Sequence, residues 1–161
     1  MNQITLEPMT KKDYLGYKID NVKRYALEGV KSGRWEAEES LKESEKSIKE
    51  YLPRGMRTKN NFFFNIAARS TGDKVGVIWL AIQGKTRSKS VFVFDILIFD
   101  EYRGKGFGTD AMKEIEVWAK KMGADAIWLH AFWHNQRAIG LYKRLGFIES
   151  GVTMTKKLEV V

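Results

Sequence analysis

The sequence predicts an α/β fold: a mixed sheet of six or seven strands flanked by about four helices. Three observations carry this prediction. Helical and extended periodicities follow one another in the order β α α β β β α β α β, with a further terminal strand possible in the last segment. Two β-rich stretches, 62–69 and 75–82, are separated by Ser-Thr-Gly-Asp, a turn signal that makes them a hairpin. An apolar run, Val91 to Phe99, leads into Tyr102-Arg103-Gly104-Lys105-Gly106-Phe107-Gly108-Thr109 and then into a helical pattern, a strand–glycine loop–helix sequence. The 161 residues read as one domain, 1–161.

In chain order, Ile4 to Glu7 is a short extended segment ended by Pro8. Thr10 is placed to cap a first helix, in which Leu15, Ile19, Val22, Ala26 and Val30 repeat at 3.6-residue spacing until Gly33. A second helix spans about Glu36 to Tyr51, with Ala37, Leu41, Ile48 and Leu52 on one face and Pro53 at its end. After the hairpin, Gln83 to Lys89 reads as a polar loop. The near-continuous apolar character of Val91 to Phe99 predicts burial on both faces. Met112, Ile115, Ala119 and Met122 face the core from the helix Thr109 to Met122, which Gly123 terminates. A strand, Ala126 to Ala131, follows. Strand, helix and strand joined by a right-handed crossover make parallel neighbours. A helix from Gln136 to Leu145 stops at Gly146, and Phe147 to Lys157 supplies one or two terminal strands.

Composition narrows the function. Hydrophobic residues make up 43% and charged residues 30%, which argues against disorder. Cysteine is absent, so disulfides, thiolate metal sites and a cysteine nucleophile are excluded. No apolar run reaches the roughly 18 residues of a membrane span. The N-terminus shows no basic stretch followed by an apolar one, so a cytoplasmic location is the default expectation. The formal net charge is +8, which suits a polyanionic ligand. The basic residues are dispersed, over Arg54 to Lys59, Lys85 to Lys89, Arg103 with Lys105, and Arg137 to Arg144, while Glu36 to Glu50 is acidic. A nucleic-acid partner is therefore not expected.

The glycine loop has a physical reading of its own. The first helical turn carries N–H groups without intrahelical partners, and the helix dipole adds partial positive charge. Three glycines let the backbone approach an anion, and Arg103 and Lys105 add full charges. The Walker loop is excluded, because Gly-x-x-x-x-Gly-Lys-Ser/Thr is absent. The dinucleotide fingerprint is disfavoured too. The spacing is Gly104-x-Gly106-x-Gly108, and Asp125 falls at the start of the next strand rather than its end.

The pattern Arg/Gln-x-x-Gly-x-Gly/Ala is met by Arg103, Gly106 and Gly108. Downstream stands Asn135-Gln-Arg-Ala138-Ile-Gly-Leu141-Tyr142-Lys-Arg-Leu-Gly146-Phe147, which fits Asn-x-x-Ala-x-x-Leu-Tyr-x-x-x-Gly-Phe at every defined position. Together these resemble the two signature motifs of the GNAT superfamily of N-acetyltransferases, over residues 91 to 147. The strings Lys31-Ser-Gly33-Arg-Trp35, Leu52-Pro53-Arg-Gly55 and His130-Ala-Phe-Trp-His134-Asn135 resemble a branch of small bacterial acetyltransferases of undefined substrate.

The resemblance implies a largely antiparallel sheet with a central, splayed parallel pair, the strand holding His130 being the one that diverges. It implies acetyl-CoA as co-substrate and no metal. The pyrophosphate would lie on the N–H groups of Gly104, Lys105, Gly106, Phe107, Gly108 and Thr109, with Arg103 positioning loop or ligand. The pantetheine arm would pair with the backbone of Ile96, Leu97 and Ile98, where an N–H near Ile96 could support the oxyanion. Asn135 is an N-cap, a contact to a pantetheine amide, or both. Arg137, Lys143 and Arg144 are a solvated helix face or, at one of them, a contact to the coenzyme's 3′-phosphate; Ala138 and Lys143 complete the implied coenzyme set.

Tyr142 resembles the family's general acid. From reference pKa values, full proton transfer from a tyrosine to a thiolate is uphill by roughly 2 kcal/mol, so hydrogen-bond donation to sulfur is the more economical role. The position where related enzymes often carry a glutamate base is Phe92. Asp95, the sole carboxylate inside the apolar strand, is a candidate base, an anchor for a cationic amine, or a structural hydrogen-bonder. His130 and His134 are further proton acceptors by chemistry. Tyr25, Trp35 and Trp79 are candidate walls of an acceptor pocket. The acceptor itself is a primary amine, on a small molecule, a polyamine or a protein, acetylated directly in a ternary complex. The alternative is a non-catalytic acyl-CoA-binding regulator on the same fold. A homodimer is an expectation of the resemblance alone.

Overall fold

The computed structural model describes residues 2–85 and 88–159. The strands are β1 (Ile4–Pro8), β2 (Asn61–Ala68), β3 (Lys74–Lys85), β4 (Ser88–Ile98) and β5 (Ala126–Leu129). The helices are α1 (Lys11–Lys31), α2 (Ser40–Tyr51), α3 (Phe107–Lys121) and α4 (Gln136–Arg144). The five strands lie side by side in the order β1-β2-β3-β4-β5. Neighbours are antiparallel except β4 and β5, which run parallel. The mixed α/β architecture and the four helices follow the prediction.

The strand count does not. Six or seven strands were expected, and five form among the described residues. Residues 148–159 adopt no regular structure, and Ile148, Val152, Met154 and Leu158 stand in solvent, so their alternating pattern has no ladder to join. The supposed polar loop 83–89 is instead paired strand, with Gly84 opposite Lys89 and Lys85 opposite Ser88; Thr86 and Arg87 lie outside the described residues.

β3 alternates cleanly. Ile78 and Leu80 face α3, where they pack with Met112, Ile115 and Ala119; Val77 and Trp79 face α1 and α2, where they meet Tyr14, Tyr17, Val22 and Ile48. β4 breaks this rhythm. Trp79 pairs with Asp95 but Leu80 pairs with Val93, so Phe94 is an extra residue. A bulge of this kind bends the strand and re-aims its side chains. Val91, Val93, Ile96 and Ile98 join the α3 side, whereas Phe94, Leu97 and Phe99 join the α1 side. Asp95 points toward α1 as well, as its hydrogen bonds demonstrate. Strict alternation from Val93 would have buried that carboxylate in the apolar layer under α3.

α1 begins at a capping box. Thr10 Oγ1 accepts from Asp13 N at 3.1 Å, and Thr10 N donates to Asp13 Oδ2 at 3.0 Å. The buried face matches the predicted one at Val22 and Ala26 and departs from it in the first half of the helix, where Tyr14, Tyr17 and Asn21 are buried while Leu15 and Ile19 are 52% and 61% exposed. The helix is rolled toward Asp95, whose carboxylate gives polar side chains on that face a partner. α2 starts at Ser40, later than predicted, and packs through Ser40, Ser44 and Ile48, leaving Leu41 exposed. Small serines allow close approach, and Ser44 Oγ donates to the Val22 carbonyl at 2.7 Å.

Candidate active site

The glycine loop follows β4 through a 3-10 turn, Asp100–Tyr102. Gly104 and Gly106 have φ of +77° and +87°, in the left-handed region that favours glycine. Gly106 is the N-cap of α3, and the first intrahelical bond runs from Asp110 N to Gly106 O at 3.1 Å. The N–H groups of Phe107, Gly108 and Thr109 therefore precede the helical ladder. Gly108 lies where α3 meets α4 and β4: a Cβ there would make ordinary contacts, 3.5 Å from Leu141 and 3.8 Å from Ile98.

The loop cations are partly committed to the loop. Arg103 Nε donates to the Ile98 carbonyl at 3.1 Å, and its Nη2 lies 2.8 Å from Asp100 Oδ1. Lys105 Nζ donates to the Glu101 carbonyl at 3.0 Å and stands over the Tyr102 ring. Both side chains shape the loop around the end of β4.

β5 pairs with β4 only from Ser90–Ala126 to Val93–Leu129. Beyond the bulge at Phe94, Asp95 to Ile98 keep β3 on one side and have no strand on the other. The strand ends at Leu129, so His130 and Ala131, predicted to continue it, already belong to the departing chain. A cleft opens between the two strands, with the bulge at its root and the glycine loop after its far end.

α4 follows and packs on the α3-side core through Tyr142 and Leu145. Asn135 is its N-cap, with Oδ1 accepting from Ala138 N at 3.2 Å. The helix ends with Phe147 N donating to the Tyr142 carbonyl. Tyr142 is half-buried, with its ring 5.7 Å from that of Phe147. Burial first, and the negative charge of Asp95 second, push its hydroxyl pKa up to about 12. The group thus stays a protonated donor. Lys143 pairs with Glu149 at 2.7 Å on the surface.

The Asp95 carboxylate is surrounded by donors. Tyr17 Oη and Asn21 Nδ2 each donate to Oδ2 at 3.0 Å. Arg24 forms a two-pronged pair, Nη2 to Oδ2 at 2.8 Å and Nη1 to Oδ1 at 3.1 Å, while its Nε binds Asp20 at 2.6 Å. None of these three partners was singled out from sequence. Their spacing at i, i+4 and i+7 was the available signal: it places Tyr17, Asn21 and Arg24 on one helical face.

Of the proposed pocket walls, Trp79 is core. It is 2% exposed, stacked on Phe94 at 4.4 Å, and its indole N–H donates to Asn61 Oδ1. Tyr25 and Trp35 meet edge-on at 5.1 Å beneath Arg34, whose Nη1 donates to Tyr25 Oη. Trp35 lies against Gly29, where any Cβ would penetrate the ring. His130 is exposed, whereas His134 Nε2 lies 2.5 Å from Glu28 Oε2. Among the described residues no cluster of three or more His, Asp or Glu could hold a metal, and no helix is long and apolar enough to cross a membrane.

An opened parallel pair, a glycine loop at a helix start and an Asn-capped helix bearing a tyrosine are the arrangement that the sequence resemblance implies. Residues 27–147 match the acetyltransferase (GNAT) family, and the chain belongs to it. It is similar to two Bacillus subtilis (strain 168) proteins named as N-acetyltransferases: YycN, 34% identical over 96% of this chain and 99% of that protein, and YdgE, 29% identical over 96% and 98%. The crystal structure of YycN superimposes with a TM-score of 0.92, covering 98% of this chain and 99% of the other, at 32% identity.

Proposed function

We propose that this protein transfers the acetyl group of acetyl-CoA to a primary amine, directly and within a ternary complex. The observation that carries this reading is the termination of β4–β5 pairing at Val93 and Leu129. It leaves the β4 edge from Ile96 to Ile98 without a strand on that side, on the way to the Gly104–Gly108 loop. An extended amide-bearing arm can pair along such an edge, while its pyrophosphate meets the N–H groups from Gly104 to Thr109. Arg103 holds this loop rather than the ligand. Asn135 and Ala138 set the start of α4, and Tyr142 offers its hydroxyl to the departing sulfur.

Tyr142 suits this task as a hydrogen-bond donor, since a hydroxyl held near pKa 12 does not surrender its proton to a thiolate. Among the three roles open to Asp95, structural hydrogen bonding fits its surroundings best. A base needs a free lone pair and no neutralising cation, and this carboxylate accepts four hydrogen bonds, two of them from Arg24. Amine-bearing small molecules, polyamines and protein amines all fit the acceptor class.

Calorimetric titration with acetyl-CoA tests the donor, and thiol release with an amine panel tests the transfer. Saturable binding at micromolar concentration followed by amine-dependent thiol release is expected. Absence of saturable binding refutes the proposal. Binding with no release under any amine favours an acyl-CoA-binding regulator.

A further inference from the structure

Four hydrogen bonds from one face of α1 hold the Asp95 carboxylate beside the bulge of β4. Tyr17 and Asn21 each donate to Oδ2 at 3.0 Å, and Arg24 grips both oxygens, at 2.8 and 3.1 Å. Tyr17 and Asn21 are buried, and Arg24 is itself braced by Asp20. This polar cluster sits where β4 loses a neighbour. Pairing with β5 ends at Val93, and the extra residue, Phe94, immediately precedes Asp95.

The ladder beyond the bulge fixes which backbone groups face the opening. Along an antiparallel pair, residues alternate between exchanging hydrogen bonds with their opposite number and turning N–H and C=O to the far side. Phe99 N donates to Val75 O at 2.9 Å, so Phe99, Leu97 and Asp95 turn their polar backbone atoms to β3. Ile96 and Ile98 turn theirs to the side without a strand. Arg103 agrees with this phase, since its Nε takes the Ile98 carbonyl, not a β3 group. The peptide joining Asp95 to Ile96 is planar, so its carbonyl faces β3 and its N–H, that of Ile96, faces the opening. The backbone dihedrals of Asp95 set the aim of that N–H. β3 restrains them from one edge, no ladder restrains them from the other, and α1 restrains them through the side chain.

We propose that Arg24, with Tyr17 and Asn21, is a positioning residue for acetyl transfer: by holding Asp95 it aims the Ile96 N–H at the thioester carbonyl oxygen. The inference rests on the acetyltransferase reading above. As the amine nitrogen bonds to the carbonyl carbon, that oxygen gains negative charge, and a donor already in place stabilises it. The carbon–sulfur bond then breaks, the sulfur departs as thiolate hydrogen-bonded by Tyr142, and the nitrogen's proton passes to water. Arg24 touches neither reactant. A clamp anchored on a helix leaves the open strand edge free for the ligand while keeping its donor fixed.

The test compares wild type with Arg24→Met, Arg24→Lys, Arg24→Met/Asp95→Asn and the control Ser44→Ala, which removes the α2–α1 hydrogen bond to Val22 without touching Asp95. Each is assayed under conditions where its urea curve shows it folded. Calorimetry gives acetyl-CoA affinity, and thiol release with spermidine, kanamycin or a lysine peptide gives kcat and KM. Infrared difference spectra of bound acetyl-CoA carrying ¹³C at the carbonyl report the hydrogen bond to its oxygen, with or without an acceptor. In Arg24→Met, acetyl-CoA affinity should stay within about 3-fold of wild type while kcat falls about 10- to 100-fold. The carbonyl band, at lower wavenumber in the wild-type complex than in free acetyl-CoA, should move back toward the free value. Arg24→Lys should regain part of kcat, and if Arg24→Met does not fold, Arg24→Lys carries the comparison with smaller shifts in the same direction. The double variant should regain stability but not kcat, and Ser44→Ala should keep wild-type kcat. A wild-type band at the free position, a band or kcat unchanged in Arg24→Met, kcat that returns with stability in the double variant, or an equal kcat loss in Ser44→Ala each overturns the positioning role. If no amine of the panel reacts, the carbonyl band decides alone. Absence of saturable acetyl-CoA binding overturns the acetyltransferase reading itself, which keeps the two failures distinct.

Discussion

Replacing Arg24 with Met should strand a carboxylate in the middle of the sheet. Asp95 would lose two charge-assisted hydrogen bonds, of 2.8 and 3.1 Å, and keep those from Tyr17 and Asn21. Hydrogen bonds to charged groups contribute about 1.5–3 kcal/mol each, and removing one partner of a buried ion pair costs about 3–5 kcal/mol. The Asp95 side chain is 12% exposed and that of Arg24 27%, so water entering the vacated space offsets part of the loss. The expected cost is therefore at the lower end, about 3 kcal/mol. For a chain of this length that lowers Tm by roughly 6–12 °C. Urea unfolding of Arg24→Met, Asp95→Asn and the double variant forms a mutant cycle. The double variant should recover more than half of the loss, because no uncompensated charge remains. A single-variant loss below about 1 kcal/mol, or additivity within about 0.5 kcal/mol, would refute the claim that these side chains act as a unit.

Gly106→Asp should abolish acetyl-CoA binding, because it adds bulk at φ +87° and a negative charge at the proposed phosphate site; unchanged calorimetric affinity would refute the loop assignment. Tyr142→Phe should lower kcat more than coenzyme affinity, and equal turnover would return this ring to a packing role. Its folded-state pKa near 12 lies above the unfolded value, so its contribution to stability is complete below about pH 10 and is lost as pH rises toward 12. Tyr142→Phe should flatten that alkaline decline in a series of unfolding curves. Lys74, with help from Thr10, holds the Asp13 carboxyl well below the usual carboxylate range. Its stabilisation is present above the unfolded pKa near 4 and is lost as pH falls through the lower folded value. Asp13→Asn should weaken the acid dependence of Tm below pH 4. Gly76→Ala should destabilise the sheet, since its Cβ would lie 2.2 Å from the Leu97 carbonyl; a Tm within 1 °C of wild type would contradict that geometry.

The glycine loop was legible because each of its requirements is local. Gly104 and Gly106 must reach positive φ, and the helix that follows starts where its pattern starts. Asn135 was legible as a cap for the same reason, since its oxygen serves an N–H three residues away. The Thr10 box and the 62–69/75–82 hairpin likewise depend on neighbours in sequence. The buried face of α1 was legible at Val22 and Ala26 but not in its first two turns. Periodicity gave Leu15 and Ile19 to the core, yet the helix turns them outward. The face it buries instead meets a carboxylate more than 70 residues away in the chain, paired with Arg24. The terminal strands failed in the opposite sense, since alternation at Val152 and Met154 is satisfied only where another strand offers its edge.

By itself, then, the amino-acid sequence determined the order of elements as far as α4, the glycine loop at the start of α3 and the family motifs, all of which rest on short-range backbone geometry and capping. The tertiary structure decided which side chains meet across the cleft. One extra residue at Phe94 re-phases β4 and turns Asp95 from the α3 layer to α1. The same helix meets Asp95 through Tyr17, Asn21 and Arg24 and meets His134 through Glu28. A bulge has no signature in residue periodicity, because it exists only in the register between two strands.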